Sequence, residues 1–149
     1  MPSNLRRPLH VLLVEQDHAI RDLIATLLRN EGYAVSAVGG ALPALQRARV
    51  AAPDAVISSL VFGDLDGLEL CRRLRAMPHM AHALIVALTG YATAGIREMA
   101  REAGFDSYLL KPVSVHTLLD LLASYKTGRV IAAVGGAPGA ARGTLSLSD

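Results

Sequence analysis

Five positions in this sequence carry groups that could meet and do chemistry. Glu15 and Gln16 end one short apolar run, Ser59 ends another, Thr89 a third, and Lys111 a fourth. A serine hydroxyl must give up its proton as it attacks, so Ser59 needs a base within reach to act as a nucleophile. His18 is the only nearby base in the sequence, at the start of a helical pattern, where a solvated first-turn residue is the simpler reading. No G-x-S-x-G elbow surrounds Ser59, which argues against a serine hydrolase. Lys111 finds its best available partner in Glu15, and the expected product is an ion pair or a water-bridged version of it. At a partly exposed site such a pair contributes about 0.2–1 kcal/mol.

Those residues meet only if the chain folds so as to gather the ends of its apolar runs. Strand-like and helix-like segments alternate five times. The runs at 10–14, 33–38, 55–58, 83–89 and 107–110 have strand length and little polar interruption, as expected for strands covered on both faces. Between them lie helical patterns. Ile20, Leu23, Ile24, Leu27 and Leu28 form one apolar stripe, with Asp17 as N-cap and Asn30-Glu31-Gly32 as the end. A second helix is expected over 41–51, with Pro43 in its first turn, and a third over 68–77, closed by Pro78. A fourth should turn Ile96, Met99, Ala100 and Ala103 inward and stop at Gly104. The fifth carries Val115, Leu118, Leu119 and Leu122 at helical spacing, with Ser114 as N-cap and Gly128 as terminator. Regular βαβ alternation implies a doubly wound α/β fold, a parallel sheet with helices on both faces. Its functional edge lies at the C-terminal ends of the strands. That edge collects Glu15, Gln16, Ser59, Thr89 and Lys111.

The remaining features mostly exclude functions. The chain has 149 residues, a net charge of +2 and one cysteine, Cys71, which rules out an internal disulfide and suits a reducing compartment. Cys71 lies in an apolar helical pattern and reads as a core residue. Arg72, Arg73 and Arg75 cluster, as do Arg6 and Arg7; both groups read as solvated faces rather than a nucleic-acid surface. The apolar run after Arg6-Arg7 stops at Glu15, too short for a signal peptide core or a membrane span, so the expected location is the cytoplasm. From residue 126 the periodicity ends in a Gly/Ala-rich tail, expected to be flexible, in which only 129–134 (RVIAAV) could add a strand or dock on a partner. The pentapeptide AVGGA occurs at 37–41 and again at 133–137, too short a match to be an architectural repeat. No helix follows the second copy to make it a phosphate loop.

The polar edge and its spacing carry a resemblance. The stretches VLLVEQDHAIRDLIATLLRNEGYAV, PDAVISSLVFGDLDGLELCRRLR, ALTGYA and GFDSYLLKPVS together are similar to the receiver domain of bacterial two-component response regulators. The resemblance covers about residues 9–125, leaving residues 1–8 as an extension and 126–149 as the tail. It implies a five-stranded flavodoxin-like (βα)5 fold with strand order 2-1-3-4-5. It places the Mg²⁺-binding acidic pair on Glu15 and Gln16 and the phosphoacceptor aspartate on Ser59. The switch hydroxyl falls on Thr89, the switch aromatic on Tyr108, and the site lysine on Lys111, before a Pro112 whose peptide bond is expected to be cis.

Two of those positions depart from the family's chemistry. An aspartate attacks phosphorus already ionised, whereas Ser59 does not. A family site offers three carboxylates to Mg²⁺; this one offers Glu15 alone, plus neutral oxygens of Gln16 and Ser59. Its formal charge with Lys111 is about zero instead of about minus two. Mg²⁺ is a hard cation that prefers charged oxygens, so binding is expected to be weak or absent, with Glu15 a weak candidate ligand. Asp64 and Asp66 are expected to shape the loop and cap the third helix rather than accept phosphate. The expectation is a stand-alone pseudo-receiver: a non-enzymatic protein-interaction module without a cofactor. Its partners would be proteins, a sensor kinase or a downstream signalling protein, met through the fourth helix, fifth strand and fifth helix. No membrane or nucleic-acid partner is expected, and the sequence does not fix the oligomeric state. Two rival readings remain: a receiver phosphorylated on Ser59 or a neighbouring acid, and a small α/β nucleotide-binding protein or enzyme.

Overall fold

The structure, a computed structural model, describes residues 7–61, 63, 65–90 and 93–126. Asp64, Gly128 and the tail therefore lie outside the described residues. Five strands, β1 (His10–Val14), β2 (Ala34–Val38), β3 (Ala55–Ser59), β4 (Leu84–Thr89) and β5 (Ser107–Leu110), form one sheet in the order β2-β1-β3-β4-β5. All pairings are parallel. The helices are α1 (His18–Asn30), α2 (Ala41–Val50), α3 (Gly67–Arg75), α4 (Ala94–Ala103) and α5 (Val115–Lys126). A 3₁₀ turn, Pro78–Met80, follows α3 and buries Met80; no periodic signal in the sequence announced it.

The strands' two-residue period divides the core in two. Leu12, Val14, Val56, Ile85, Ala87 and Tyr108 pack on one face with Ala44 and Leu45 of α2, Leu70 and Leu74 of α3, and Ala100 of α4. Val11, Leu13, Ile57, Val86, Leu88 and Leu109 pack on the other with Ile24 and Leu28 of α1 and Leu118 and Leu122 of α5. Each fully buried leucine or isoleucine contributes about 1.5–3 kcal/mol. β2, at the sheet edge, is the one strand with no fully buried residue.

Side chains start the helices where expected, and at one more place. Asp17 accepts from the Ile20 amide at 2.9 Å, Asp66 from Glu69 at 2.8 Å, Thr93 from Ile96 at 3.1 Å and Ser114 from Thr117 at 3.2 Å. Gly104 ends α4 at φ 115°, the left-handed region where a side chain is strained.

Three expectations fail. Ile20 and Leu23, read as part of an inward stripe, are exposed, Leu23 by 57%. α1 buries only the arc through Ile24, Ala25 and Leu28, because a helix lying on a flat sheet offers it a single narrow face. Met99 is exposed for the same reason, while Ala100 and Ala103 are buried. The solvated arginine cluster holds for Arg72 and Arg73, which pair with Glu69, but not for Arg75. Arg75 donates to the carbonyls of Gly104 (3.0 Å), Met80 (3.2 Å), Ala81 (3.3 Å) and Ala83 (2.8 Å), and to Asp106 (2.6 Å). It ties the end of α3 to the starts of β4 and β5. Smaller differences are α2 ending at Val50 and α3 running from Gly67 to Arg75.

Candidate functional site

Strand register lines up the polar residues. Val14 pairs with Ser58, so Glu15 comes level with Ser59; Ser59 pairs with Leu88, one residue before Thr89; and Thr89 pairs with Leu110, one before Lys111. The Glu15 amide extends the ladder by donating to Val38 at 3.0 Å, and the Lys111 amide donates to the Thr89 carbonyl at 2.7 Å. Glu15, Ser59 and Thr89 are all buried, although each is polar.

A buried carboxylate needs partners. Glu15, 3% exposed, has three. Its Oε1 accepts from the Ser59 hydroxyl at 2.6 Å and from Lys111 Nζ at 3.0 Å; its Oε2 accepts from the Asp17 amide at 2.8 Å. Burial by itself raises its pKa, but the bonds from Ser59, Asp17 and Lys111 together outweigh burial and hold it below the ordinary value of 4.5. The expected Glu15–Lys111 pair is thus direct, with one oxygen shared between an ammonium and an alcohol.

Backbone constraints hold this arrangement. A Cβ on Gly67 would stand 2.4 Å from the Ser59 carbonyl oxygen and 2.7 Å from Leu60 Cα, so only glycine lets α3 begin there. The Gly67 amide closes the loop by donating to Leu60 at 2.9 Å. Arg21 of α1 donates to the Glu15 carbonyl at 3.0 Å and reaches it beside Gly39, where a Cβ would come within 2.9 Å of the guanidinium. Neither Gly67 nor Arg21 has a signature readable without the folded loop. The Lys111–Pro112 bond is cis.

Other named residues sit apart from this cluster. Gln16 is exposed. His18 pairs with Asp22 across one turn of α1 at 3.2 Å, mostly in solvent, so the neighbour of the Ser59 hydroxyl is Glu15 rather than His18. Tyr108 is 8% exposed on β5, packed against α4, with the Arg97 guanidinium 6.0 Å from its ring centre. Cys71 is buried, and that burial pushes its thiol to about 12, far from reactivity.

Mg²⁺, the ion the fold implies, does not fit this donor set. Both oxygens of Glu15 are engaged, and Asp17 spends its side chain capping α1. Among the described residues no three acids, histidines or cysteines cluster to hold a metal. Among them, too, no helix is long and apolar enough to cross a membrane.

Comparison with known proteins agrees with the geometry. Residues 11–123 match the response regulator receiver domain family model. The polar-differentiation response regulator DivK of Brucella anthropi is 29% identical over 118 residues, covering 79% of this chain and 96% of DivK. The structure of chemotaxis response regulator CheY4 of Vibrio cholerae superposes with a TM-score of 0.75 at 26% identity, covering 78% of this chain and 98% of CheY4. The receiver domain of sensor histidine kinase PA1611 from Pseudomonas aeruginosa, solved with magnesium in its active-site cleft, superposes with a TM-score of 0.72 at 32% identity, covering 78% and 95%. Parallel order 2-1-3-4-5, a polar cluster at the C-terminal strand ends and a family match over most of the chain converge on one assignment: this protein belongs to the response regulator receiver domains of two-component signalling.

Proposed function

We propose that this receiver is a pseudo-receiver: a non-enzymatic signalling module of the cytoplasm that works by binding other proteins rather than by carrying an aspartyl phosphate. One observation supports the reading above others. The Ser59 hydroxyl, at the acceptor position, donates to Glu15, the acid expected to help hold the metal. With Lys111 on the same oxygen, the cluster is neutral, and neither charge calls for Mg²⁺ or phosphate to balance it. Magnesium is therefore bound weakly or not at all. The expected partners, a sensor kinase or a downstream protein, would meet the α4–β5–α5 face, where Met99 is exposed and Arg97 lies over Tyr108.

Incubation with acetyl phosphate and Mg²⁺, followed by intact-mass measurement, tests the proposal. The expected result is unmodified protein; stoichiometric gain of one phosphoryl group overturns it.

A second reading, phosphorylation of Ser59 itself, gains some support from the 2.6 Å hydroxyl–carboxylate contact. Ser59 Oγ would attack phosphorus, its proton would pass to Glu15, and acetate would leave. Glu15 is a poor base for this, because the bonds that hold it also lower its pKa. A base-stable adduct in the same experiment would select this reading over an acyl phosphate.

A further inference from the structure

β2 is an unusual edge strand. Its sequence, AVSAV, contains no charge and no proline, the residues that commonly stop a sheet edge from recruiting another strand. Its backbone polarity is set by the ladder: the Ala34 amide donates to Leu9 and the Val38 carbonyl accepts from Glu15, so Ala34, Ser36 and Val38 turn their backbone groups toward β1. Val35 and Ala37 therefore turn theirs to the open side. Arg29 of α1 covers one of them, donating to the Val35 carbonyl at 2.9 Å. The amide and carbonyl of Ala37 lie beyond that guard.

The same chain carries a second stretch that shares the end of this strand, Ala37-Val38, and the three residues after it. Residues 33–41 read YAVSAVGGA and residues 129–137 read RVIAAVGGA. The last five residues are identical, and β-branched Ile131 stands where β2 has Val35. The stretch 130–134, which lies outside the described residues, is thus uncharged in sequence and rich in β-branched residues.

Reach decides whose sheet it joins. Tyr125, at the end of α5, donates to the His82 carbonyl at 2.9 Å, which puts that end at the start of β4. In the sheet order, the place outside β2 is four strand positions from β4, or about 19 Å at the usual spacing. The three steps from Lys126 to Arg129 span at most about 11 Å. The segment cannot reach its own β2 edge without unwinding α5, but it can reach that of another molecule.

We propose that residues 129–134 of one molecule add as a strand to the β2 edge of a second copy, and that reciprocal exchange makes a two-fold dimer. The site is the outward backbone of Ala37 with the flanking Val35 amide, and its ligand is this chain's own tail. The assembly is independent of the Glu15–Ser59–Lys111 cluster, so it stands or falls separately from the pseudo-receiver reading.

Sedimentation equilibrium of the full chain over a wide concentration range tests the proposal. The full chain is expected to show a reversible monomer–dimer equilibrium. Ile131→Pro, beyond α5, should weaken it about tenfold or more, because proline removes an amide and opposes pairing. Ala37→Pro should do the same from the other side, since the amide it removes points away from β1. Ala34→Lys, a milder change at an exposed edge position, covers the case in which Ala37→Pro fails to fold. A chain that stays monomeric throughout overturns the proposal, as does a dimer that survives Ile131→Pro. Loss with Ile131→Pro but not with either β2 variant also overturns it, because the tail would then dock elsewhere.

Discussion

The two poles of the sheet use their charges differently. At the N-terminal ends of the strands, Arg75 bridges four carbonyls and Asp106, and Asp106 also accepts the Ile85 amide at 2.9 Å. Nearby, Asp54 takes two bonds from Arg7 and one from the His10 amide, and His10 meets Ser36 at 2.9 Å. Those charges staple chain segments together. At the C-terminal ends one acid among the described residues is buried, Glu15, with a lysine, an alcohol and an amide around it. This is the pole where receivers crowd acids for function and leave negative charge for a metal cation to neutralise. Here the buried acid is paired with Lys111 of the same chain, so this pole resembles the structural one.

That contrast can be broken at either pole. Arg75→Met should be the most damaging change, about 3 kcal/mol, because Asp106 and several part-buried carbonyls lose their donor together. Chemical denaturation measures it, and a loss below about 1 kcal/mol would mean the staple is dispensable. Gly67→Ala should cost roughly 2 kcal/mol, since its Cβ meets backbone rather than a side chain that can move aside. Its displacement should fall on Ser59, visible as amide shifts at residues 58–60 in an NMR spectrum. Unchanged shifts there would detach the loop from the site.

Glu15→Gln should cost about 1 kcal/mol at neutral pH: Lys111 can turn to solvent and the amide oxygen still accepts from Ser59, while the Asp17 amide loses its acceptor. The pH dependence is the sharper readout. Glu15's folded pKa lies below its ordinary 4.5, so its contribution is complete above about pH 4.5 and is lost as pH falls through the folded value. The gap between wild type and Glu15→Gln should therefore be constant at neutral pH and close in acid. A gap that widens as pH falls would reverse the assignment.

Much of the fold was legible because its signals are local. Apolar runs of strand length gave five strands within a residue or two, and Asp17 and Ser114 marked helix starts by side-chain chemistry that acts over three residues. The Glu15–Lys111 pair followed from knowing that both lie just past the C-terminal ends of parallel strands, β1 and β5, at one edge of the sheet. What escaped depends on the other side of each contact. Ile20 and Leu23 look the same as Ile24 and Leu28 in a periodic pattern, and only the width of the underlying sheet decides which are covered. Arg75 looks like Arg72 and Arg73 in sequence until the turn after α3 folds back and brings its carbonyls, with that of Gly104, onto it. The bond from Ser59 to Glu15 escapes similarly: its partner lies 44 residues away and is brought alongside only by the pairing of β1 with β3.

The central claim is that this site is neutral without metal, and thermal melting with and without Mg²⁺ tests it most directly. A site filled at a hundred times its dissociation constant stabilises by about 2.7 kcal/mol. The account predicts no shift for the wild type at millimolar Mg²⁺, and a marked one for Ser59→Asp combined with Gln16→Asp, which should be less stable without the ion. A wild-type shift as large as that of the double variant would contradict it.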